Sequence, residues 1–227
     1  MATYNLPPII DYSLPAFKAD ENLIIPFEYP MDFNKNNIQT NARKVKMECK
    51  IIHNNSYTIV NYTSNFLLVN ETTKEWMSEL TIPFSTFTST GIYKIQLRFI
   101  VSNSDYSEWS SICYVKRIEN AIAKITNFPN DDSNYVITND SPSFTGTFSS
   151  TDEKESEYKF ELFLTTNSTE PIATSGWLKH VDNTVDIYTF PILLTDFTSY
   201  ELKYTVKTIN NYVTFSLRKF VTAFYTL

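Results

Sequence analysis

Only 3 of the 227 residues are glycine, 2 are cysteine and 2 are histidine, and each shortage removes a class of chemistry. So little glycine leaves no Gly-rich loop to cradle phosphate and no Gly-x-Ser-x-Gly nucleophile elbow. His53 and His180 are far apart in sequence, so no His-Glu-x-x-His is present. Both lie at the ends of expected strands and are read as surface residues. Cys49 and Cys113 lack the close spacing of a zinc site. No apolar run approaches the roughly 20 residues of a membrane helix. The start, Met1-Ala-Thr-Tyr-Asn-Leu-Pro-Pro, has no basic or apolar segment of a secretory signal; either the chain is used without general export or a leader has been removed. Positive charge is short as well: 19 Lys and Arg against 25 Asp and Glu give −6, which disfavours a nucleic-acid partner. No catalytic group, cofactor or metal is expected, and no membrane insertion.

What is present is β-forming material. Apolar residues make up 42% and aromatics 15%, with charge at only 19%, enough apolar content for a sizeable core. Thr, Ser, Asn, Tyr and Phe dominate, and helix signals are nearly absent. Tyr93, Ile95, Leu97, Phe99 and Val101 alternate with Lys94, Gln96 and Arg98, the two-residue period of a half-buried strand. Asn103, Ser104 and Asp105 supply a turn, and a second β-rich run to Arg117 closes a hairpin. Strands are also expected around Leu23–Phe27, Val45–Ile51, residues 57–69 and Trp76–Phe84, with residues 31–42 as a loop.

The hairpin recurs. Tyr200, Leu202, Tyr204, Val206 and Asn210 match Tyr93, Ile95, Leu97, Phe99 and Asn103 at an offset of 107, and Tyr212, Phe215 and Ser216 echo Tyr106, Trp109 and Ser110 at 106. A repeat of that length indicates one domain used twice. The expected organisation is a Pro-containing arm or irregular first strand over residues 1–20, a β-sandwich over 21–119 and a second over 120–227. A linker is placed near Glu119–Thr126, and the second strand set is taken to begin at Asn130–Asn134.

Gly91-x-Tyr93-x-Ile95-x-Leu97-x-Phe99 resembles the sixth strand of a fibronectin type III domain, an immunoglobulin-like β-sandwich. The resemblance implies that Tyr93, and Tyr200 in the repeat, bond back to upstream backbone as a tyrosine corner. Tyr106-Ser107-Glu108-Trp109-Ser110 resembles the Trp-Ser-x-Trp-Ser element of cytokine-receptor modules, with Tyr106 in place of the first Trp. Arg98, if it faces outward, is placed to stack on Tyr106 or Trp109. The whole resembles fibronectin-type modules of bacteriophage tail and virion proteins. That likeness implies a non-enzymatic, tail-associated structural protein, assembled in the host cytoplasm, contacting other virion proteins and its own copies. A cell-surface or secreted adhesion or carbohydrate-binding module is the alternative.

The remaining candidates have ordinary readings beside them. Cys49 and Cys113 are buried thiols or, alternatively, a disulfide across the two sheets. Asp131 and Asp132 offer oxygens for Ca²⁺ without EF-hand spacing, so they are read as a turn. Glu153, Glu155 and Glu157 are read as a solvated loop or strand end. Tyr57, Tyr62, Phe66 and Trp76, or Trp177 and Tyr188, offer a stacking platform for a host-surface glycan, against their use as core or cross-strand pairs. The sequons at Asn54, Asn61, Asn70, Asn139 and Asn167 are read as compositional coincidence.

Overall fold

The structure, a computed structural model, describes residues 6–28, 43–70, 75–102, 105–128, 135–181 and 185–224, with backbone alone at 43–45, 63–70, 75–78, 101, 102 and 105. Asn103, Asp131 and Asp132, the loop expected over 31–42, and the side chains of Phe66 and Trp76 therefore lie outside the described residues. The chain divides into two compact units, Met1–Ile118 and Glu119–Leu227. Both are built from β-strands, as immunoglobulin-like, fibronectin type III-type sandwiches.

The first unit contains β1 (Phe17–Lys18), β2 (Leu23–Glu28), β3 (Arg43–His53), β4 (Ser56–Asn70), β5 (Glu75–Ile82), β6 (Gly91–Ser102), β7 (Asp105–Tyr106) and β8 (Cys113–Ile118). The strands run in the order β1-β8-β6-β3-β4-β5-β2. β4 is shared between two pairings, lying along β3 from Ser56 to Phe66 and along β5 from Leu67 to Asn70. The β3–β4 hairpin turns on Asn54 (φ 46°) and Asn55 (φ 64°), residues that tolerate the left-handed region a two-residue turn demands. The Pro-containing segment before β2 runs along this unit: Ile9 bridges Glu28, Ser13 bridges Tyr114, and β1 pairs parallel with β8. Residues 6–18 thus act as an irregular edge strand, the role proline permits.

The second unit contains β9 (Ile122–Ile125), β10 (Val136–Ile137), β11 (Ser143–Ser149), β12 (Glu155–Leu164), β13 (Ala173–Thr174), β14 (Leu178–Lys179), β15 (Asp186–Thr189), β16 (Ser199–Thr208) and β17 (Val213–Thr222). One sheet is β15-β11-β9; the other is β10-β17-β16-β12-β13, with β14 also on β12. The segment expected as a linker is largely β9: Ala121, Ala123 and Ile125 are buried, and β9 pairs with β11. Alternation too short to stand out in the sequence is enough once a partner strand covers one face.

The repeated strand is central to both cores. Tyr93, Ile95, Leu97 and Phe99 on β6, and Tyr200, Leu202, Tyr204 and Val206 on β16, are all buried within their respective clusters. Burying each such side chain stabilises by about 1.5–3 kcal/mol, so this face anchors each sandwich.

Cys49 and Cys113 are free and buried. They sit on β3 and β8, which flank β6 in one sheet, Cys49 opposite Leu97 and Cys113 opposite Ile95. Two strand spacings of about 4.8 Å exceed the roughly 7 Å Cα limit for a disulfide. A bond across two sheets is therefore not formed, because both thiols belong to one.

Candidate functional site

Alternation along β6 sends Gln96 and Arg98 outward, and the β3 register sets Glu48 opposite Arg98 and Lys50 opposite Gln96. Arg98 grips Glu48 Oε2 through Nη2 at 2.6 Å and Nε at 2.7 Å. Its guanidinium carbon lies 4.1 Å from the Tyr106 ring centroid and 4.4 Å from that of Trp109. Lys50 Nζ extends the row, 5.8 Å from Trp109 and 4.9 Å from Tyr57. Each stacking contact is worth about 0.5–1 kcal/mol at an exposed site.

Two buried serines hold the aromatic segment down. The β6–β8 ladder ends at Ile95 and Cys113. Beyond it, Ser110 Oγ accepts the Leu97 amide and Ser107 Oγ the Phe99 amide, both at 2.9 Å. The serine amides in turn donate to Leu97 O at 2.8 Å and Phe99 O at 3.0 Å. Two serines three apart therefore satisfy two strand residues two apart, which is why the motif needs a short hydroxyl at both positions.

The second unit does not reproduce this arrangement. At the offset of the repeat, Thr205 stands where Arg98 stands, and β17 pairs regularly with β16, Phe215 opposite Thr205. Phe215 lies 4.9 Å below Lys203 Nζ, and Tyr212 is buried at the turn, its amide donating to Thr208 Oγ1 at 3.1 Å.

The two corner tyrosines differ in detail. Tyr93 donates to Ser89 O at 2.8 Å, and its ring stacks on His53 at 4.2 Å and 17°. His53 Nδ1 donates to Ile92 O at 3.0 Å, so this histidine is a packed partner of the corner and not a free surface residue. Tyr200 Oη accepts the Thr195 amide at 2.8 Å.

A second constellation lies inside the second unit. The segment read as solvated glutamates begins β12: Glu153 is buried, and its Oε1 accepts from Asn210 Nδ2 at 2.7 Å. Glu155, at the bulge that opens β12, turns inward beside His180, Asp186 and Tyr204. Their side chains are 4% exposed for Glu155, 12% for His180 and 2% for Asp186, so His180 is not a surface residue either. His180 Nδ1 lies 2.9 Å from Asp186 Oδ1 and 3.4 Å from Glu155 Oε2. The Tyr204 hydroxyl donates to Asp186 Oδ2 at 2.5 Å and stands 3.2 Å from Glu155 Oε1. Burial first, then the hydrogen bond and charge of Asp186, push the Glu155 carboxyl up to about 9. Burial first, then the hydrogen bond of Asp186 and the charges of Glu155 and Asp186, hold the Tyr204 hydroxyl far above the usual tyrosine range. Tyr204 fits because Gly146, on the facing strand, has no Cβ; one there would come 2.5 Å from the ring.

Neither aromatic platform is assembled among the described side chains. Tyr188 packs into the second core against Phe160 and Phe190, whereas Trp177 lies beside outward-facing Lys159, 5.2 Å from its Nζ. Tyr62 packs against the first core while Tyr57 is exposed under Lys50.

No family model and no curated protein matches this sequence. Among solved structures, fibronectin(III)-like modules of Clostridium thermocellum CbhA are similar at 14% identity and TM-score 0.40, covering 94% of this chain and 93% of that one. The two immunoglobulin domains of DIP-gamma align at 7% identity and TM-score 0.25, over 96% of both chains. A 1.5-MDa bacterial ice-binding adhesin aligns at 10% identity and TM-score 0.32, over 96% of this chain and 64% of that one. The β-sandwich architecture is seen in this chain's own strand order and pairings.

Proposed function

We propose that this chain is a non-enzymatic structural component of a bacteriophage virion, tail-associated, acting through protein–protein contacts along the edge of its second sandwich. The observation that carries the contact is the open side of β17. Its inner neighbour is β16, and on the outer side, among the described residues, β10 covers only Val221 and Thr222. The amides of Val221 and Ala223 donate to the β10 segment, so by alternation those of Val213, Phe215, Leu217 and Lys219 point to the open edge. The side chains of the same residues lie on the face away from the core, with Val213 49%, Phe215 55% and Leu217 39% exposed. An edge whose backbone has no partner among the described residues, and which carries an apolar row, suits an added strand from another chain.

What supports the virion setting is the resemblance of two tandem sandwiches with a Pro-containing arm to fibronectin-type modules of bacteriophage tail and virion proteins. On this reading the partners are other tail proteins and further copies of the chain. Among the described side chains, adhesion or carbohydrate binding has a single exposed tryptophan in its favour, Trp177, without a second ring beside it. The discriminating experiment compares wild type with the double variant Phe215→Lys, Leu217→Lys, in co-sedimentation with tail proteins and in glycan binding. Loss of co-sedimentation at unchanged melting temperature supports the edge contact; glycan binding that disappears on Trp177→Ala supports adhesion instead.

A further inference from the structure

We propose that Glu155, His180 and Asp186 form a structural site for a divalent transition-metal cation of the zinc class, which clamps the two sheets of the second sandwich together. Glu155 comes from β12 and His180 from the residue after β14, both on the larger sheet; Asp186 opens β15 on the smaller one. One donor atom from each lies within 4.8 Å of the others. Two of these separations, 2.9 Å from His180 Nδ1 to Asp186 Oδ1 and 3.4 Å to Glu155 Oε2, are already close to the roughly 3.4 Å donor separation of a tetrahedral shell with bonds of about 2.1 Å.

Three further observations favour a cation. Two carboxylates are buried beside a single imidazole, and among the described residues no lysine or arginine pairs with either. The donor set, one imidazole nitrogen and carboxylate oxygens, suits zinc and its neighbours and is poor in the oxygens that calcium requires. The ligands are also held from behind. The Tyr204 hydroxyl binds the far oxygen of Asp186, and the His180 amide donates to Ser156 O at 3.0 Å. As a ligand through Nδ1, His180 carries its proton on Nε2. The burial of all three donors makes the role structural. The site is separate from the β17 edge, so either proposal can fail without the other.

The chain contains only 2 histidines, which makes the test direct. The full chain, stripped with EDTA and dialysed, is titrated with ZnCl₂ while both imidazoles are followed by nuclear magnetic resonance. The His180 ring is expected to shift and saturate at one equivalent, with His53 unmoved. The melting temperature should rise by roughly 10 °C at a hundredfold excess over Kd. Co²⁺ should give a visible absorption band that His53→Gln retains and that Glu155→Gln and His180→Gln abolish. If either of these two variants fails to fold, the wild-type resonances decide alone. An unmoved His180 ring in the folded wild type, or a Co²⁺ band that survives in both folded variants, overturns the proposal.

Discussion

The ring of Tyr204 approaches Gly146 so closely that a Cβ at that position would meet its Cζ at 2.5 Å. In the first unit the repeat places Leu97, not tyrosine, at the corresponding point of the central strand. The exchange brings a hydroxyl into the core, where Asp186 accepts it. Gly146→Ala is therefore expected to destabilise the second sandwich by about 1–3 kcal/mol through overpacking. Adding Tyr204→Leu should relieve the clash, so that the double variant loses less than the two single costs combined. Urea unfolding of the four proteins measures this, and strict additivity would show that the two residues do not conflict.

Tyr93→Phe removes the donor to Ser89 O and should cost about 0.5–1.5 kcal/mol. Tyr200→Phe leaves the Thr195 amide without its phenolic acceptor, and the loss should fall in the second unit alone. Hydrogen exchange resolved by unit distinguishes the two. Equal loss of protection in both units on either substitution would contradict the separate corner roles.

Arg98→Lys keeps the charge but loses the planar guanidinium between Tyr106 and Trp109. Arg98→Ala also leaves the largely buried Glu48 without its cation. The alanine variant is expected to lose about 1–3 kcal/mol and the lysine variant less. Trp109 fluorescence should change in both. Chemical denaturation gives the order, and a lysine variant as damaged as the alanine one would show that charge contributes little.

Burial pushes the Cys49 thiol up to about 12 and the Cys113 thiol to about 11 from an ordinary value near 9. The neutral form is the one favoured, so raising pH to 8 generates almost no thiolate at either position. At that pH neither should react with a maleimide in the native chain, and both should react fully in denaturant. Fast native labelling at Cys113 would show that the β8 edge opens.

The legible and illegible parts of this molecule divide on physical grounds. The strand Tyr93–Phe99 and its copy at Tyr200–Val206 were readable because each presents one unbroken apolar parity to a core, and the interval between them revealed the duplication. Tyr93 and Arg98 were readable because strand alternation alone decides which way they point. Ser107 and Ser110 carried no signal of their own beyond the motif, since their role depends on where the β6–β8 ladder stops. The cluster of Glu155, His180, Asp186 and Tyr204 was not readable: its members come from two sheets and from a bulge that breaks parity at Glu155. The single available hint was tyrosine at 204 where the repeat has leucine. The glutamates at 153 and 155 looked solvated because their neighbours are polar, and only the fold supplies Asn210 and Tyr204 as partners.

The most direct test of the assembly role is imaging of intact phage particles at a resolution that separates strands. Density is expected for both sandwiches at symmetric tail positions, with a strand or apolar surface of a neighbouring chain seated along Val213–Lys219. Particles whose density has no place for the two sandwiches, or in which that edge of β17 faces solvent in every copy, would contradict it.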